Sequence, residues 1–305
     1  MRIAHVSDLH VLSKFGDEWR RALFNKRITG YVNVLMHRGR VYRRDYLRAV
    51  LAEAARQAEH VVVTGDITNL SHESEYAEAR KILSELGARV EVTVVPGNHD
   101  IYLPEIAQHQ RFSHHFEPFL KSDLPEAAVE VAAGRFPVVK LRGSVALIGL
   151  STAVPRPPFV SAGRLGKAQL AALKSVLSRP EVATRTPVVL LHHDPLDTPV
   201  RFEQLRSGLV DAGALRSELS HLRRGLILFG HLHVRRHSRL ETGAGALDVV
   251  CASGASLDHR DPRVAAGFNL YDIADDGAVG DLEAWVLDPE TERFSRGPIP
   301  PGGPS

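Results

Sequence analysis

The chain has 305 residues, 44% of them hydrophobic and 24% charged, which is ordinary for a soluble globular protein of one large domain or two. Its formal net charge of +2 points by itself to no nucleic-acid or membrane partner, and its single cysteine, Cys251, excludes an internal disulfide framework. No apolar run approaches a bilayer span and no secretory signal precedes the first strand, so a reducing cytoplasm is the expected compartment. Cys251 lies in the apolar run 247–252 and reads as a buried, inert thiol. Histidine is the compositional oddity, with 16 copies. His60, His72, His109, His114, His115 and His221 stand in no repeated pattern and read as surface residues. Others cluster at the ends of strands.

Residues 2–7 form a short apolar strand followed at once by Asp8 and His10, which the alternation of an extended segment points to one side. Residues 11–44 exceed an ordinary strand-to-helix connection. Residues 46–58, rich in alanine and leucine, read as a helix, and 60–64 as a second strand leading to Gly65, Asp66 and Asn69. A helix over 73–86 has Ser71 as its N-cap and Gly87 at its C-terminus. The third strand, 90–95, ends at Pro96 and Gly97, where the chain must turn; Asn98, His99 and Asp100 follow in consecutive positions. Residues 104–121 read as helical, 138–150 as two strands joined at Gly143, and 152–163, with Pro155, Pro157 and Pro158, as a stiff loop able to wall a cleft. A helix over 167–177 precedes a strand over 187–191 that ends in His192 and His193. A helix over 209–222 precedes a strand over 226–229 that ends in Gly230, His231 and His233. From 234 to 287 the pattern is strand after strand, and the Pro- and Gly-rich tail 297–305 reads as disordered. There is no internal repeat. Strand, polar loop, helix, strand in this order indicates a layered α/β fold.

The strand ends therefore present Asp8, His10, Asp66, Asn69, Asn98, His99, Asp100, His192, His193, His231 and His233. Each alone has an ordinary reading: Asp66 as a helix cap, His231 and His233 as loop residues, Asp100 as a turn former. Five such loops, each after an apolar run and a turn residue, indicate one shared metal site. Imidazole, carboxylate and amide oxygen suit divalent ions such as Mn, Fe and Zn, and the absence of thiolate argues against a structural zinc site. The donors are too numerous for one tetrahedral ion. They suit two ions about 3.5–4 Å apart with a bridging carboxylate, a centre that attracts phosphate and acidifies water.

The set Asp8, His10; Gly65, Asp66, Asn69; Gly97, Asn98, His99, Asp100; His192; Gly230, His231, His233 resembles the calcineurin-like metallophosphoesterase superfamily, over residues 1 to about 235. The block His192-His193-Asp194-Pro195-Leu196 is most similar to bacterial class III cyclic-nucleotide phosphodiesterase-like members. The resemblance implies a four-layer α/β/β/α sandwich of two mixed sheets; residues 1–296 are read as one domain that carries 14–44 as an insertion. It implies one metal held by Asp8, His10, Asp66 and His233 and another by Asp66, Asn98, His192 and His231, with Asp66 bridging. It implies that His99 protonates the leaving oxygen or stabilises transition-state charge, with Asp100 orienting it. His192 is favoured over His193 as the ligand because it directly follows the apolar run. Asn69 stands where many members have Asp. The expected activity is hydrolysis of a small phosphoester by in-line attack of a metal-bridging hydroxide, with a phosphodiester, such as a cyclic nucleotide, foremost. A pyrophosphatase or phosphatase acting on a lipid-linked or nucleotide-sugar substrate is the alternative, and a non-catalytic scaffold the remote one.

The motifs leave residues 14–44 unexplained. Trp19, Leu23, Phe24, Ile28, Tyr31, Val32 and Leu35 recur at helical spacing, among nine basic residues and only Asp17 and Glu18 as acids, a segment charge of +7. Such a stretch fits either a lid packed on the protein's own body or a contact with an anionic membrane at the inner face. No nucleic-acid partner is expected.

Overall fold

The computed structural model describes residues 1–12, 42–196 and 200–302. In chain order the first elements are β1 (Arg2–Val6), α1 (Arg44–Gln57), β2 (His60–Val63), α2 (Glu73–Gly87) and β3 (Glu91–Val94). They are followed by α3 (Pro104–Gln108), α4 (Arg111–Phe116), the small ribbon β4 (Val129–Val131) and β5 (Gly134–Phe136), and the hairpin β6 (Val138–Arg142) and β7 (Val145–Gly149). Next come α5 (Lys167–Leu177), α6 (Pro180–Ala183), β8 (Thr186–Leu190), α7 (Arg201–Ser207), α8 (Ala212–Leu219) and β9 (Leu226–Phe229). The chain closes with β10 (Arg236–Glu241), β11 (Ala246–Cys251), β12 (Gly267–Ile273), β13 (Val279–Leu287) and β14 (Phe294–Pro298).

Two mixed six-stranded sheets result, in the orders β14-β13-β12-β1-β2-β3 and β10-β11-β9-β8-β7-β6. Strands β1, β2 and β3 are parallel neighbours, as are β11, β9, β8 and β7. Parallel neighbours need crossover connections, which helices supply between β1, β2 and β3 and between β7, β8 and β9, and which β10 supplies between β9 and β11. The period-2 alternation of the second sheet assigns its two faces. Val188, Leu190, Leu226 and Leu228 enter a core shared with the first sheet. Val189, Leu191, Ile227 and Phe229 enter a second core, against Leu173 and Val176 of α5 and Leu215 and Leu219 of α8. On the far side of the first sheet α1 buries Tyr46, Leu47, Val50, Leu51 and Ala54, a stripe at helical spacing packed on β1 and β12. The layers are thus α/β/β/α, as expected.

Several local expectations are corrected. The helix expected over 104–121 breaks at Gln110, which adopts a left-handed φ of +46° between α3 and α4. The helix expected over 209–222 is shorter, because Leu209 pairs with Gly163 in an isolated bridge before α8 begins. The N-cap of α2 is His72 rather than Ser71, in a reciprocal capping box with Glu75. The tail is ordered through residue 302: Gly297 and Pro298 lie in β14, Ile299 is buried, and the Gly302 N–H donates to His237 O at 2.6 Å. β14 is an edge strand, a position where a proline removes no ladder hydrogen bond on its open side. His60, His72 and His115 are buried, not surface residues; His60 Nε2 lies 2.8 Å from Thr93 Oγ1 and His115 Nε2 2.6 Å from Glu73 Oε1. Of the 14–44 segment only residues 42–44 belong to the described residues. Among all the described residues of the chain no helix is long and apolar enough to cross a membrane.

Candidate metal centre

The loops after β1, β2 and β3 of the first sheet and after β8 and β9 of the second meet at one edge of the sandwich. The first two run side by side: Asp8 N–H donates to Gly65 O (3.0 Å), His10 N–H to Asp66 O (2.9 Å) and Val11 N–H to Ile67 O (2.9 Å). Strand alternation does not aim Asp8 and His10. Both lie in the left-handed region, as do Asp66, His231 and His233, with φ of 52°, 45°, 49°, 69° and 55° in that order. This conformation costs an L-residue roughly 1–2 kcal/mol, and such outliers concentrate where the surroundings over-determine a functional geometry. The packing between loops is close enough to demand glycine at two positions. A Cβ on Gly97 would stand 2.2 Å from Asp66 N and Oδ1, and one on Gly230 would stand 1.8 Å from Ser7 Oγ and 2.6 Å from Asp8 Oδ2.

Two groups of donor atoms emerge, each with its members within 4.8 Å of one another: Asp8, His10, Asp66 and His233, and Asp66, His192 and His231. Asp66 belongs to both. His233 Nε2 is 3.2 Å from Asp8 Oδ1 and 3.4 Å from His10 Nε2. His192 Nε2 is 3.3 Å from Asp66 Oδ2 and 3.2 Å from Asn98 Oδ1. Asp8 Oδ1 is buried and makes no hydrogen bond among the described residues, so the cluster offers a carboxylate oxygen that the protein itself leaves unsatisfied. A donor set of imidazole nitrogens and carboxylate and amide oxygens fits the borderline and hard divalent cations. The one thiol lies apart, with Cys251 Sγ directed at Gly230 O (3.3 Å) and burial raising its pKa well above the ordinary value.

The electrostatics demand positive charge. Burial alone would raise Asp8 and Asp66, but the facing imidazoles outweigh it and hold both carboxyls well below their usual range, through His233 and His192 at Asp8 and through His192, His99 and His10 at Asp66. Burial opposes a charge on His192, yet Asp66 and Asp8 raise it to about 9. His231 moves the other way, to about 4, through burial and the neighbouring His192. Protons on imidazole here neutralise carboxylates that a cation would otherwise neutralise.

The adjacent histidines part ways. His192 Nδ1–H donates to Thr64 O at 2.7 Å, which leaves Nε2 facing the cluster. His193 commits both ring nitrogens elsewhere, Nδ1 to Thr152 Oγ1 and Nε2–H to Ser161 O, each at 2.7 Å, and so ties down the proline loop. His99 lies beside the cluster, its ring 5.1 Å from that of His10, with Nδ1–H donating to Asn69 O at 2.5 Å. Asp100 does not orient that ring. Its carboxylate accepts the N–H groups of Gly97 (2.9 Å), Ile67 (3.2 Å) and Thr68 (2.8 Å) and the Thr68 hydroxyl (3.0 Å), clamping the second loop to the third. Burial and the charge on Asp66 push its pKa up to about 7.

Sequence reasoning missed several supporting residues. Tyr42 OH lies 3.2 Å from His233 Nδ1. Glu75 is buried and accepts the N–H groups of Asn69, Leu70 and His72, holding the loop that carries Asn69; the capping-box spacing from His72 was the readable signal. Arg235, wholly buried two residues after His233, donates to Asn269 Oδ1 (3.0 Å), Ser253 Oγ (2.7 Å) and Pro262 O.

The calcineurin-like phosphoesterase family model matches residues 1–235. No curated protein matches the sequence. Among solved structures, a dimetal phosphatase from Danio rerio superposes with a TM-score of 0.53 at 16% identity, over 93% of this chain and 94% of that one. A purple acid phosphatase from yellow lupin (Lupinus luteus) gives 0.58 at 10% identity, over 96% of this chain and 52% of that one. The sulfate thiohydrolase SoxB of Thermus thermophilus gives 0.54 at 16% identity, over 97% and 58%. At these identities the likeness is one of fold. The family match spans every strand-end motif from Asp8 to His233, and the chain belongs to the calcineurin-like phosphoesterases.

Proposed function

We propose that this protein hydrolyses a phosphodiester at two metal ions, one held by Asp8, His10, Asp66 and His233 and the other by Asp66, Asn98, His192 and His231. The observation that carries the reading is the membership of Asp66 in both donor groups. Bound there, Mn, Fe or Zn ions supply Lewis-acid charge to phosphoryl oxygens and an acidified water. The chain's own residues do the positioning. Thr64 O holds the His192 ring through Nδ1–H, and Tyr42 OH stands at the outer nitrogen of His233. His99 spends Nδ1–H on Asn69 O, which leaves Nε2 as the ring nitrogen to face the leaving oxygen and, in the imidazolium form, to donate to it. Asp100 acts on this chemistry only through the two loops it clamps.

Preference for a diester over a mono-ester rests on the block from His192 to Leu196 and its likeness to class III cyclic-nucleotide phosphodiesterase-like proteins. Hydrolysis of bis- and mono-nitrophenyl phosphate at equal metal concentration tests it, with cyclic nucleotides and a nucleotide-sugar diphosphate in the same panel. Faster turnover of the diester is expected. A strong mono-ester preference removes the diester reading, and no turnover of any ester with Mn, Fe or Zn removes the hydrolase reading.

A lipid-linked substrate is the second reading, with the protein in the cytoplasm and residues 14–44 against an anionic membrane. It draws support from Phe202 and Leu205, exposed on α7 after the His192 loop. Co-sedimentation with anionic vesicles at low and physiological salt tests it, and no binding at either salt removes it.

A further inference from the structure

A cavity of about 190 Å³ opens directly beside Asn98 and His99 and is lined by Ile101, Tyr102, Val154, Arg156, Phe159, Val160 and Ser161. Its walls come from two loops. On one side the Tyr102 ring stacks on His99, with centroids 5.7 Å apart and planes 22° from parallel, and its backbone N–H is held by Ser71 Oγ at 3.2 Å. On the other side stands the proline loop. His193 fixes it through Ser161 O, and Ser161 N–H donates to Arg206 O at 2.8 Å. At the tip of this fixed loop Phe159 takes a left-handed φ of +66° and leaves 82% of its surface in water, the largest exposure of any big apolar side chain among the described residues. Neither the conformation nor the exposure serves packing. Both place an aromatic ring at the mouth of the cavity next to the reacting centre.

We infer that this cavity is the subsite for the organic group of the ester and that it takes a planar aromatic group, such as an aryl ring or a nucleobase, between Tyr102 and Phe159. The inference rests on the phosphoester-hydrolase reading of the adjoining metal centre. Aromatic walls at both sides offer stacking or edge-to-face contact to a flat ring. Val154, Val160 and Ile101 supply an apolar lining, and the Arg156 guanidinium, anchored by Nε–H to Ala162 O at 2.9 Å, adds a cation suited to a π face. A slender alkyl ester gains little from aromatic walls, because it has no π face to set against them. The cavity begins at Asn98, so a phosphoryl group at the metal centre and a ring in the cavity belong to one molecule.

The test compares phenylphosphonate with methylphosphonate, which share the phosphoryl head and do not hydrolyse, as ligands of the metal-loaded full chain by calorimetry. Phenylphosphonate is expected to bind about tenfold tighter to the wild type, and the margin to fall within about twofold in F159A and in Y102L. Phe159 is exposed, so its truncation leaves the core intact. Equal affinities in the wild type, or a margin that survives both substitutions, overturn the aromatic subsite. If the same preparation still turns over bis-nitrophenyl phosphate, the subsite alone has failed; if it binds neither phosphonate and hydrolyses no ester, the underlying reading has failed with it.

Discussion

His10 Nε2 and His233 Nε2 face one another across 3.4 Å, though 223 residues separate them in the chain. Two imidazole nitrogens at that distance share a single proton or point jointly at a cation, because two N–H groups would collide and two lone pairs would repel. With Asp8 Oδ1 3.2 Å from one and 3.9 Å from the other, the pair forms one wall of a cation-shaped donor cage.

Asp66 stands in both donor groups, so its loss should empty both. Asp66→Ala is expected to purify with little of the bound metal and no turnover. His99→Ala should retain the metal and lose on the order of 10²–10⁴ in kcat, the usual worth of a positioned acid. Metal content by elemental analysis, read beside turnover, separates the two. Wild-type metal content and rate in both variants would contradict the site assignment.

The neighbouring histidines should behave differently. His192→Ala removes a ring whose Nε2 faces Asp66 and should release metal. His193→Gln removes a ring that bonds Thr152 and Ser161, and should keep the metal stoichiometry while lowering Tm. Equal metal loss in both would show that His193 is a ligand.

Gly230 lets the loops of the two sheets touch. Gly230→Ala puts a methyl where Ser7 Oγ and Asp8 Oδ2 already sit. The expected cost is about 1–3 kcal/mol of stability, with weakened metal binding because Asp8 must move. Thermal melts with and without added metal check it. Gly297→Ala, with nothing within 4 Å of its added Cβ and, like Gly230, no positive φ, is the control for a glycine-to-alanine change without a clash.

Acid should unfold the protein through its buried histidines. Burial, reinforced by Lys140, lowers His60 from 6.5 to about 3, and burial likewise lowers His5 to about 3. A folded pKa below the unfolded one means that the unfolded chain binds more protons between these values. The contribution is intact above pH 6.5 and is lost as pH falls from 6.5 towards 3, at up to about 1.4 kcal/mol per pH unit for each fully neutral-buried group. Urea unfolding of His60→Gln at pH 7, 5.5 and 4 should give a shallower fall than the wild type. A parallel fall would assign the acid sensitivity elsewhere.

Much of this molecule is determined locally. The apolar runs before Asp8, Asp66, Asn98, His192 and His231 are strands because β-branched and aliphatic residues fit a pleated, doubly covered sheet, and α5 and β9 need no tertiary information to be located. The donor residues are equally legible, since only a few side chains hold cations and each follows a strand and a turn. Three kinds of fact were decided by the tertiary structure. Side-chain aim was one: Asp8, His10, Asp66, His231 and His233 reach the cluster through left-handed backbone that hydrogen bonds between loops enforce, where alternation along a strand suggested a different route. Partner choice was another, for Asp100 serves three backbone donors from two loops rather than the ring beside it in sequence, and His60 is a core residue because β2 lies between β1 and β3. The last was the state of the tail, where proline and glycine suggested disorder and an available sheet edge at β13 gave residues 294–298 a ladder to join. In each case the deciding energy comes from groups far apart in the chain, and no local pattern of residues carries it.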